Sequence, residues 1–505
     1  MATVLAVDAG TTGVRTIAFD ESGRPVAAAY RPLAQRFPEP GWVEQDPEEI
    51  WSLAAETLSE VAAALAAAGE QVAAIGVANQ RETAIAWDRA TGRPLHAAIV
   101  WQDRRTAARC EALADAGLHP LVRERTGLVL DPYFSATKFG WLLQEGGVRP
   151  DGDLALGTVD AWLLFRLTGE LATDASNASR TMLFDIRRRA WTPELCAAFG
   201  VPESALPEVR PSCGRFGAVV RSRSRGEPGG VDALAGVPVS GVAGDQQAAL
   251  LGQACISPGM AKVTYGTGSF LLVHAGSSCP APHDGLLTTL AWDLGGHESR
   301  PSHADVAYAL EGSTFVAGAA IQWLRDGLGL IARAEDVAPL AESVPDAGGV
   351  VVVPAFTGLG SPWWDPHARG VVTGITRGAG RAQFARAVVE AMAFGVRDIA
   401  DAAARAIGAP ISELRADGGA SAIDLLLQLQ ADQLQVPVVR PRLRESTALG
   451  AAALAGLAEG VWDSVEELAA RWEPEVECVP AVDAVVADRA HSAWLRAVER
   501  ARGWA

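Results

Sequence analysis

The sequence is short of the features that mark several other classes of protein. No Cys-x-x-Cys pair occurs, and the six cysteines lie far apart, at positions 110, 196, 213, 255, 279 and 478. That spacing suggests neither a disulfide framework nor a zinc knuckle, and it fits free thiols in a reducing compartment. No basic leader opens the chain, and the longest Ala-rich run, residues 448–458, is shorter than the about 20 residues that span a bilayer. We therefore expect a cytoplasmic protein with no membrane insertion.

Positive charge is also scarce. The 43 lysines and arginines are outnumbered by 60 aspartates and glutamates, which leaves a formal net charge of −17. A chain of that charge has no general attraction for nucleic acid or for an anionic membrane surface. We therefore expect no nucleic-acid partner, and any anionic ligand has to be met by local groups.

What the sequence does contain is typical of a large globular protein. It has 505 residues, of which 49% are apolar and 20% are charged. This usage argues against a disordered or fibrous chain. The length allows two large domains or about three smaller ones.

The first eighty residues predict a layered domain. Residues 3–7 and 14–19 have the pattern of two strands around a small polar turn at 8–13. An acidic helix start at 46–49 leads into apolar residues at helical spacing, and residues 72–78 have the pattern of a buried strand. Because strands and helices alternate to about residue 250, the predicted fold class is α/β.

A similar strand, glycine turn and strand recur in the second half of the chain. Residues 261–265 and 270–274 flank the turn Gly266-Thr267-Gly268-Ser269. A strand at 239–243 and a helix at 246–254 precede this hairpin. We interpret the recurrence as an internal duplication.

The duplication predicts two domains, residues 1–250 and residues 251–505, with a ligand cleft between them. The stretch 221–230 is rich in arginine, serine and glycine. It is predicted to be a solvated surface loop.

The segment Asp8-Ala9-Gly10-Thr11-Thr12-Gly13-Val14-Arg15 has the composition of a phosphate cradle. Glycines such as Gly13 let backbone amides approach an anion, Thr11 and Thr12 add hydroxyl donors, and Arg15 adds positive charge. A carboxylate such as Asp8 beside the turn suits a magnesium ion, usually held through water. The alternative is an ordinary hairpin turn with an incidental acid.

Two further glycine turns extend this interpretation. Gly266-Thr267-Gly268 repeats the first turn, so two hairpins facing across a cleft are able to hold successive phosphates of one nucleotide. Asp417-Gly418-Gly419-Ala420 follows a strand at 414–416 and precedes a helix predicted at 423–434. Backbone without large side chains leaves room there for ribose or adenine, and a simple helix-opening turn is the alternative.

Asp245 is the candidate general base. It lies where a strand passes into a helix, at the edge of the sheet where ligands of open α/β folds bind. In phosphoryl transfer such a base orients the attacking hydroxyl and accepts its proton late. The alternative is a helix N-cap with no ligand.

The polar run Asn79-Gln80-Arg81-Glu82-Thr83 follows an apolar strand. Polar residues in a row are unfavourable at a buried sheet edge unless a polar ligand binds there. The adjacent Arg81 and Glu82 are able to share the donors and acceptors of a polyol, and a structural Arg–Glu pair is the alternative. Three aromatic residues are candidate walls for a small carbon backbone, or else plain core: Trp101, Tyr133 and Phe270.

Several segments together resemble the FGGY carbohydrate-kinase family along essentially the whole chain. The segment 133–145, Tyr-Phe-Ser-Ala-Thr-Lys-Phe-Gly-Trp-Leu-Leu-Gln-Glu, resembles the first family signature, and the segment 370–390 resembles the second. Shorter segments are similar, in the same order, to those of the members that phosphorylate glycerol: 41–47, 79–83, 101–102, 244–247 and 265–268.

The resemblance implies two actin-like, ribonuclease-H-like ATPase domains that close over ATP and substrate. It implies ATP-dependent phosphorylation of glycerol to sn-glycerol 3-phosphate, with Mg²⁺ at Asp8. It also implies a homo-oligomer. A kinase for another small polyol or sugar, or an actin-like ATP-driven switch, are the alternatives.

The same resemblance assigns roles to residues. Asp245 matches the catalytic base. The positions that match glycerol contacts are Arg81, Glu82, Trp101, Tyr133, Asp245, Gln246 and Phe270. The positions that match nucleotide contacts are Thr11, Thr12, Gly13, Arg15, Thr267, Gly318, Gln322, Gly419 and Ile423.

Three departures from the family pattern affect these expectations. Members that phosphorylate glycerol commonly have asparagine facing adenine where this chain has Ile423. A Gly-Gly-Thr-Arg segment that binds a sugar bisphosphate in some bacterial members is replaced by Gly229-Gly230-Val231-Asp232, and no histidine lies between Cys213 and Pro238. We therefore expect neither sugar-bisphosphate regulation nor activation by histidine phosphorylation.

Overall fold

The computed structural model describes residues 2–221, 231–283, 285–295 and 305–504. The elements of the first half are β1 (Ala2–Ala9), β2 (Gly13–Phe19), β3 (Pro25–Pro32), β4 (Glu44–Gln45), α1 (Pro47–Ala67), β5 (Gln71–Asn79), β6 (Ile85–Asp88), β7 (Ala98–Ile99), α2 (Ala107–Asp115), α3 (His119–Thr126), α4 (Ser135–Gln144), β8 (Leu154–Gly157), α5 (Val159–Thr168), β9 (Ala172–Asp174), α6 (Ala175–Ala178), β10 (Phe184–Asp185), β11 (Ala190–Trp191), α7 (Pro193–Phe199), β12 (Glu208–Arg210), β13 (Cys213–Ala218), β14 (Pro238–Gly244) and α8 (Asp245–Gly252).

The second half continues with β15 (Met260–Tyr265), β16 (Ser269–Gly276), β17 (Leu287–Asp293), β18 (Val306–Thr314), α9 (Gly318–Gln322), α10 (Val337–Glu342), β19 (Val351–Val353), β20 (Val371–Thr373), α11 (Arg381–Ile407), β21 (Glu413–Asp417), α12 (Asp424–Leu434), β22 (Val438–Pro441), α13 (Ser446–Ala458), α14 (Val465–Ala470), β23 (Pro474–Cys478) and α15 (Ala484–Ala501).

Two mixed sheets form the centre of the two halves. The first has the order β13-β14-β5-β1-β2-β3, and the second has the order β17-β18-β16-β15-β21-β22-β23. In the first sheet, β1 pairs antiparallel with β2 and parallel with β5, and β5 pairs parallel with β14. In the second sheet, β15 pairs antiparallel with β16 and parallel with β21, and β21 pairs parallel with β22. The topology thus repeats, as the two glycine hairpins in the sequence predicted.

The predicted local elements agree with the structure in most of their bounds. Both hairpins are present, and α1 begins at Pro47 after the N-cap Asp46, whose carboxylate accepts from Glu48 N. At the third glycine turn a short 3₁₀ helix, Gly419–Ala422, intervenes before α12. The helix was expected at 423, so its true start differs by one residue.

Helix α1 is the one helix of the described ranges that is long and apolar enough to pass for a membrane span. Half of its most apolar window is buried inside the structure, and its apolar residues, such as Leu58 and Val61, belong to the core beneath the first sheet. Trp162 Nε1 donates to Pro47 O at 2.8 Å and fixes the start of the helix.

Helix α13 belongs to the second half of the sequence but packs on strands β1, β5 and β14 of the first sheet and on α8. It is nearly all alanine, glycine and leucine, which allows close approach. A Cβ on Gly450 would lie 1.8 Å from Ala248 O of α8, and one on Gly252 would lie 1.9 Å from Ser446 O. The two halves therefore share a core, and the boundary at residues 250 and 251 stays a prediction.

This close approach gives a test of the packing. We expect Gly450→Ala to lower the free energy of unfolding by about 1–3 kcal/mol, because the added methyl group forces α8 and α13 apart. Urea denaturation followed by far-ultraviolet circular dichroism measures the effect. Gly152→Ala is the matched control, since a Cβ there meets no atom within 4 Å, and it should change stability by less than about 0.5 kcal/mol. Equal effects of the two substitutions would contradict the proposed packing constraint.

Candidate functional site

Three parallel strands of the first sheet end side by side and bring the candidate residues together. Asp8 pairs across from Ala78 in β5, and Asn79 pairs with both Ala9 and Gly244. The polar run 79–83, the first glycine turn and Asp245 therefore share one edge of the sheet. The carboxyl ends of parallel strands are where α/β folds bind ligands.

Arg81 lies at the centre of this edge, and its side chain is 3% exposed. Its Nε lies 3.1 Å from Asp245 Oδ1, and its Nη1 lies 2.5 Å from Glu311 Oε2. The Nη2 atom is 3.4 Å from the Tyr133 hydroxyl. Arg81 thus orients the carboxylate of Asp245 while Glu311 holds the other end of the guanidinium.

Glu82 pairs mainly with Arg180 and not with its neighbour. The distance from Arg81 Nε to Glu82 Oε1 is 3.9 Å, whereas Arg180 Nε donates to Glu82 Oε1 at 2.6 Å. Arg180 Nη2 also donates to Glu311 Oε1 at 2.8 Å. The structural Arg–Glu pair considered from the sequence is therefore replaced by a network of four charges, which we call the buried ion network: Arg81, Glu82, Arg180 and Glu311.

Burial and opposite charge compete in this network. Burial alone would raise the pKa of Glu311, but the charges of Arg180 and Arg81 outweigh it and hold the pKa below its usual value. Burial raises the pKa of Glu82 despite the same two guanidinium groups. Glu82 also has a φ of +62°, a left-handed conformation that is strained for a residue with a side chain. Such strain at a sheet edge is typical of functional sites.

The three aromatic residues predicted as walls lie against one another. The ring centroid of Trp101 is 5.5 Å from that of Tyr133 and 6.3 Å from that of Phe270, in edge-to-face arrangements. All three are half-buried, so they are not plain core. Trp101 Nε1 donates to Thr11 Oγ1 at 2.9 Å, which ties the aromatic wall to the first glycine turn.

Asp245 is the first residue of α8, and Gly244 is the N-cap, with no capping hydrogen bond from a side chain. The N-cap alternative for Asp245 is therefore wrong. Its side chain is 28% exposed, and Gln246 N donates to its Oδ1 at 2.7 Å. A partly exposed carboxylate held by an arginine and a backbone amide is suited to accept a proton from a bound hydroxyl.

The first glycine turn closes through Gly10 N, which donates to Gly13 O at 3.0 Å. Arg15 pairs with Glu445 of the second half, so the turn is tied across the molecule. Burial and the nearby charge of Asp245 raise the pKa of Asp8 to about 7, against the opposing charge of Arg15. A bound cation would relieve this repulsion between carboxylates.

The second and third glycine turns lie together. Thr267 O accepts from Ala317 N at 2.8 Å, and Gly318 N donates to Gly266 O at 3.0 Å. Gly418 has a φ of +85°, and a Cβ there would lie 2.5 Å from Tyr265 O, so only glycine lets the third turn rest on the second hairpin. A Cβ on Gly419 would meet no atom within 4 Å. The open space at Gly419 fits the prediction that backbone there faces a nucleotide.

The remaining nucleotide positions differ in exposure. Gln322 is exposed at the end of α9. Ile423 is 8% exposed and belongs to the apolar core of the second half, while the neighbouring Asp424 pairs with Arg440 at 2.8 Å. The side chain of Ile423 thus has a packing role, and its assignment as a nucleotide contact stays a prediction.

Four charged residues of the site were missed from the sequence: Arg180, Lys262, Glu311 and Glu445. Lys262 and Glu311 are each the one charged residue of a largely buried strand, and this lone charge is the signal that was available in the sequence. No local pattern marks Arg180 or Glu445. Gly229 and Gly230, and all of the predicted surface loop 221–230 except Arg221, lie outside the described residues.

Within the described ranges, no group of three or more histidine, cysteine, aspartate or glutamate residues is arranged to hold a metal ion. Mg²⁺ in kinases is usually bound through one or two carboxylates together with substrate phosphates and water. The buried carboxylate of Asp8, beside the charge of Asp245, fits such a site.

Comparison with known proteins supports the resemblance to the FGGY carbohydrate kinases over the whole chain. The model of the N-terminal domain of the FGGY family of carbohydrate kinases matches residues 3–252, and that of the C-terminal domain matches residues 261–459. Glycerol kinase of Citrifermentans bemidjiense is 50% identical over 507 residues, covering 99% of both chains. Glycerol kinase of Halorhodospira halophila is also 50% identical, covering 99% of this chain and 97% of the relative.

Solved structures agree with this comparison. The crystal structure of Plasmodium falciparum glycerol kinase with ADP matches with a TM-score of 0.91 and 33% identity, covering 99% of this chain and 98% of that one. A gluconate kinase from Lactobacillus acidophilus matches with a TM-score of 0.85 at 21% identity, which shows the fold alone. Because both domain models and relatives of this similarity match along its length, the chain belongs to the FGGY family of carbohydrate kinases.

Proposed function

We propose that this chain transfers the γ-phosphoryl group of ATP to a primary hydroxyl of glycerol and releases ADP and sn-glycerol 3-phosphate. The observation that carries the proposal is the partly exposed carboxylate of Asp245, held by Arg81 at 3.1 Å beside the aromatic wall and the first glycine turn. Relatives named glycerol kinase that are 50% identical over 99% of the chain support the choice of substrate. The relative solved with ADP supports ATP as the donor.

The glycerol pocket follows from the polar edge and the aromatic wall. Arg81 and Glu82 supply donors and acceptors for hydroxyl groups, and Gln246 adds an amide. Trp101, Tyr133 and Phe270 cover the carbon backbone. A short polyol satisfies both surfaces, since its hydroxyls and its carbons alternate over a few ångströms.

In the reaction, the hydroxyl oxygen of glycerol attacks the γ-phosphorus while the bond to the β,γ-bridging oxygen of ATP breaks. Asp245 accepts the hydroxyl proton, and Arg81 keeps the carboxylate oriented toward the reacting oxygen. Arg15, the backbone amides of the glycine turns and the threonine hydroxyls stabilise charge on the phosphates. Mg²⁺, which Asp8 would hold, supplies further charge neutralisation on the terminal phosphates.

Two further expectations belong to the same proposal. Closure of the two halves over the substrates excludes water, which would otherwise attack the γ-phosphate. A homo-oligomer is inferred from family resemblance, and a cytoplasmic location from the free cysteines.

Substrate choice is tested by coupled measurement of ADP release with glycerol, erythritol, xylulose and gluconate. We expect the highest kcat/KM with glycerol, because the aromatic wall encloses a short carbon chain. A higher kcat/KM with another acceptor would overturn the glycerol assignment. ATP hydrolysis that does not depend on any acceptor, together with polymer formation, would instead support an ATP-driven switch.

Replacement of the candidate base gives the second test. Asp245→Asn should lower kcat by about 100-fold or more and leave ATP affinity nearly intact, because the amide cannot accept the hydroxyl proton. Steady-state kinetics and nucleotide titration measure the two quantities. Asp326→Asn removes a 63%-exposed carboxylate outside the site and serves as the control with unchanged turnover. Undiminished kcat in Asp245→Asn would rule out this base.

Replacement of Arg81 tests the polyol contact. Arg81→Ala should raise the KM for glycerol by about 10- to 100-fold, the cost of losing hydrogen bonds to a charged group, with a much smaller change for ATP. The control is Arg105→Ala, which removes an equally buried arginine paired with Asp103 and Glu44 and should leave the KM for glycerol near its original value. If the KM values for glycerol and ATP rise equally in Arg81→Ala, Arg81 does not face glycerol.

A further inference from the structure

The chain uses lysine at only two of its 43 basic positions, and both lysines are completely buried, with relative exposures of 0%. Lys138 donates to three backbone carbonyls, those of Pro132, Tyr133 and Phe134, at 2.7–2.9 Å. A compact ammonium group with three donors in different directions suits such an arrangement, whereas the flat guanidinium of arginine does not. The remaining lysine, Lys262, calls for a similar explanation.

Lys262 lies on β15, the first strand of the second glycine hairpin, and its ammonium reaches the candidate site. It donates to Gln246 Oε1 and, at 2.8 Å, to Thr264 Oγ1. Thr264 Oγ1 in turn donates to Asp417 Oδ1 at 2.6 Å. The other oxygen of Asp417 accepts from Gln253 Nε2 at 2.9 Å and from the Ser446 hydroxyl. The ammonium is therefore anchored on one side by a hydroxyl that a fixed carboxylate orients.

The hydrogen bond from the Lys262 ammonium to Gln246 Oε1 determines the orientation of the Gln246 amide. An amide group is planar and has one accepting oxygen and one donating NH₂ group. Because the oxygen is engaged by Lys262, the NH₂ group has to face away from the ammonium. No described residue accepts a hydrogen bond from Gln246 Nε2. Gln246 is half-buried directly beside Asp245, so this donor is available to a ligand.

We propose that Lys262 is a positioning residue that fixes Gln246 as a hydrogen-bond donor to a hydroxyl oxygen of the polyol. The proposal rests on the proposed function, in which Gln246 borders the glycerol pocket. Without the ammonium, the amide of Gln246 is free to turn over and offer its oxygen instead. Burial lowers the pKa of Lys262, and the charges of Asp417 and Asp245 partly oppose that change.

The experiment is a double-mutant cycle on Lys262 and Gln246, measured as the KM for glycerol. Lys262→Met removes the ammonium donors and keeps an unbranched side chain that is one heavy atom shorter. We expect it to raise this KM by about three- to tenfold, the value of one hydrogen bond. Gln246→Ala should raise it at least as much. Because Lys262 acts through Gln246, adding Lys262→Met to Gln246→Ala should raise the KM no further.

A purely structural role for Lys262 gives a different pattern. In that case the effects of Lys262→Met and Gln246→Ala on the KM for glycerol would multiply in the double variant. The KM for ATP would also rise together with that for glycerol. Either result would overturn the proposal. Lys138→Met is the matched control, since it removes the other buried ammonium, which has no contact with Gln246. Its effect should multiply with that of Gln246→Ala.

Gln246→Glu keeps the proposal testable if Lys262→Met does not fold. This variant retains the hydrogen bond to Lys262 but replaces the NH₂ group with a second acceptor, so the KM for glycerol should rise about tenfold or more. An unchanged KM would overturn the proposal. Failure of the proposed function is a separate result, in which the wild-type protein has a higher kcat/KM with another polyol than with glycerol. The double-mutant cycle is then measured with that polyol.

Discussion

The buried ion network of Arg81, Glu82, Arg180 and Glu311 is the constraint on which the rest of the site depends. Each of the four side chains is at most 3% exposed, and each charge faces an opposite one. Removing one member of a buried pair leaves an uncompensated charge, which typically costs about 3–5 kcal/mol. Because Glu311 comes from the second sheet and the other three from the first half, the network also fixes the two halves around Asp245.

The parts of this molecule that were predictable from sequence are the local ones. Glycine turns between short apolar strands determine both hairpins, and the acidic start at Asp46 determines the beginning of α1. The positions of Asp8 and Asp245 follow from the ends of strands, because parallel strands bring their carboxyl ends together. A single sequence carries this information within a window of about 11–18 residues around each feature.

The partners of these residues were not predictable in the same way. Arg81 meets Glu311 across 230 positions, and Arg15 meets Glu445 across 430. No periodicity spans such distances, so the charges that orient the site are seen only after the chain is folded. Ile423 is a different case, since resemblance to the family assigned it to the nucleotide site, whereas its side chain packs in the apolar core and the assignment stays a prediction.

Helix α13 has a consequence for the way the protein is made. It comes near the carboxyl terminus, yet it covers one face of the first sheet, whose strands are all synthesised before residue 245. During translation, the apolar face of the first sheet therefore stays uncovered until α13 has left the ribosome. Exposed apolar surface of this kind is prone to aggregation, so the late synthesis of α13 lengthens the time during which the amino-terminal half is vulnerable to it.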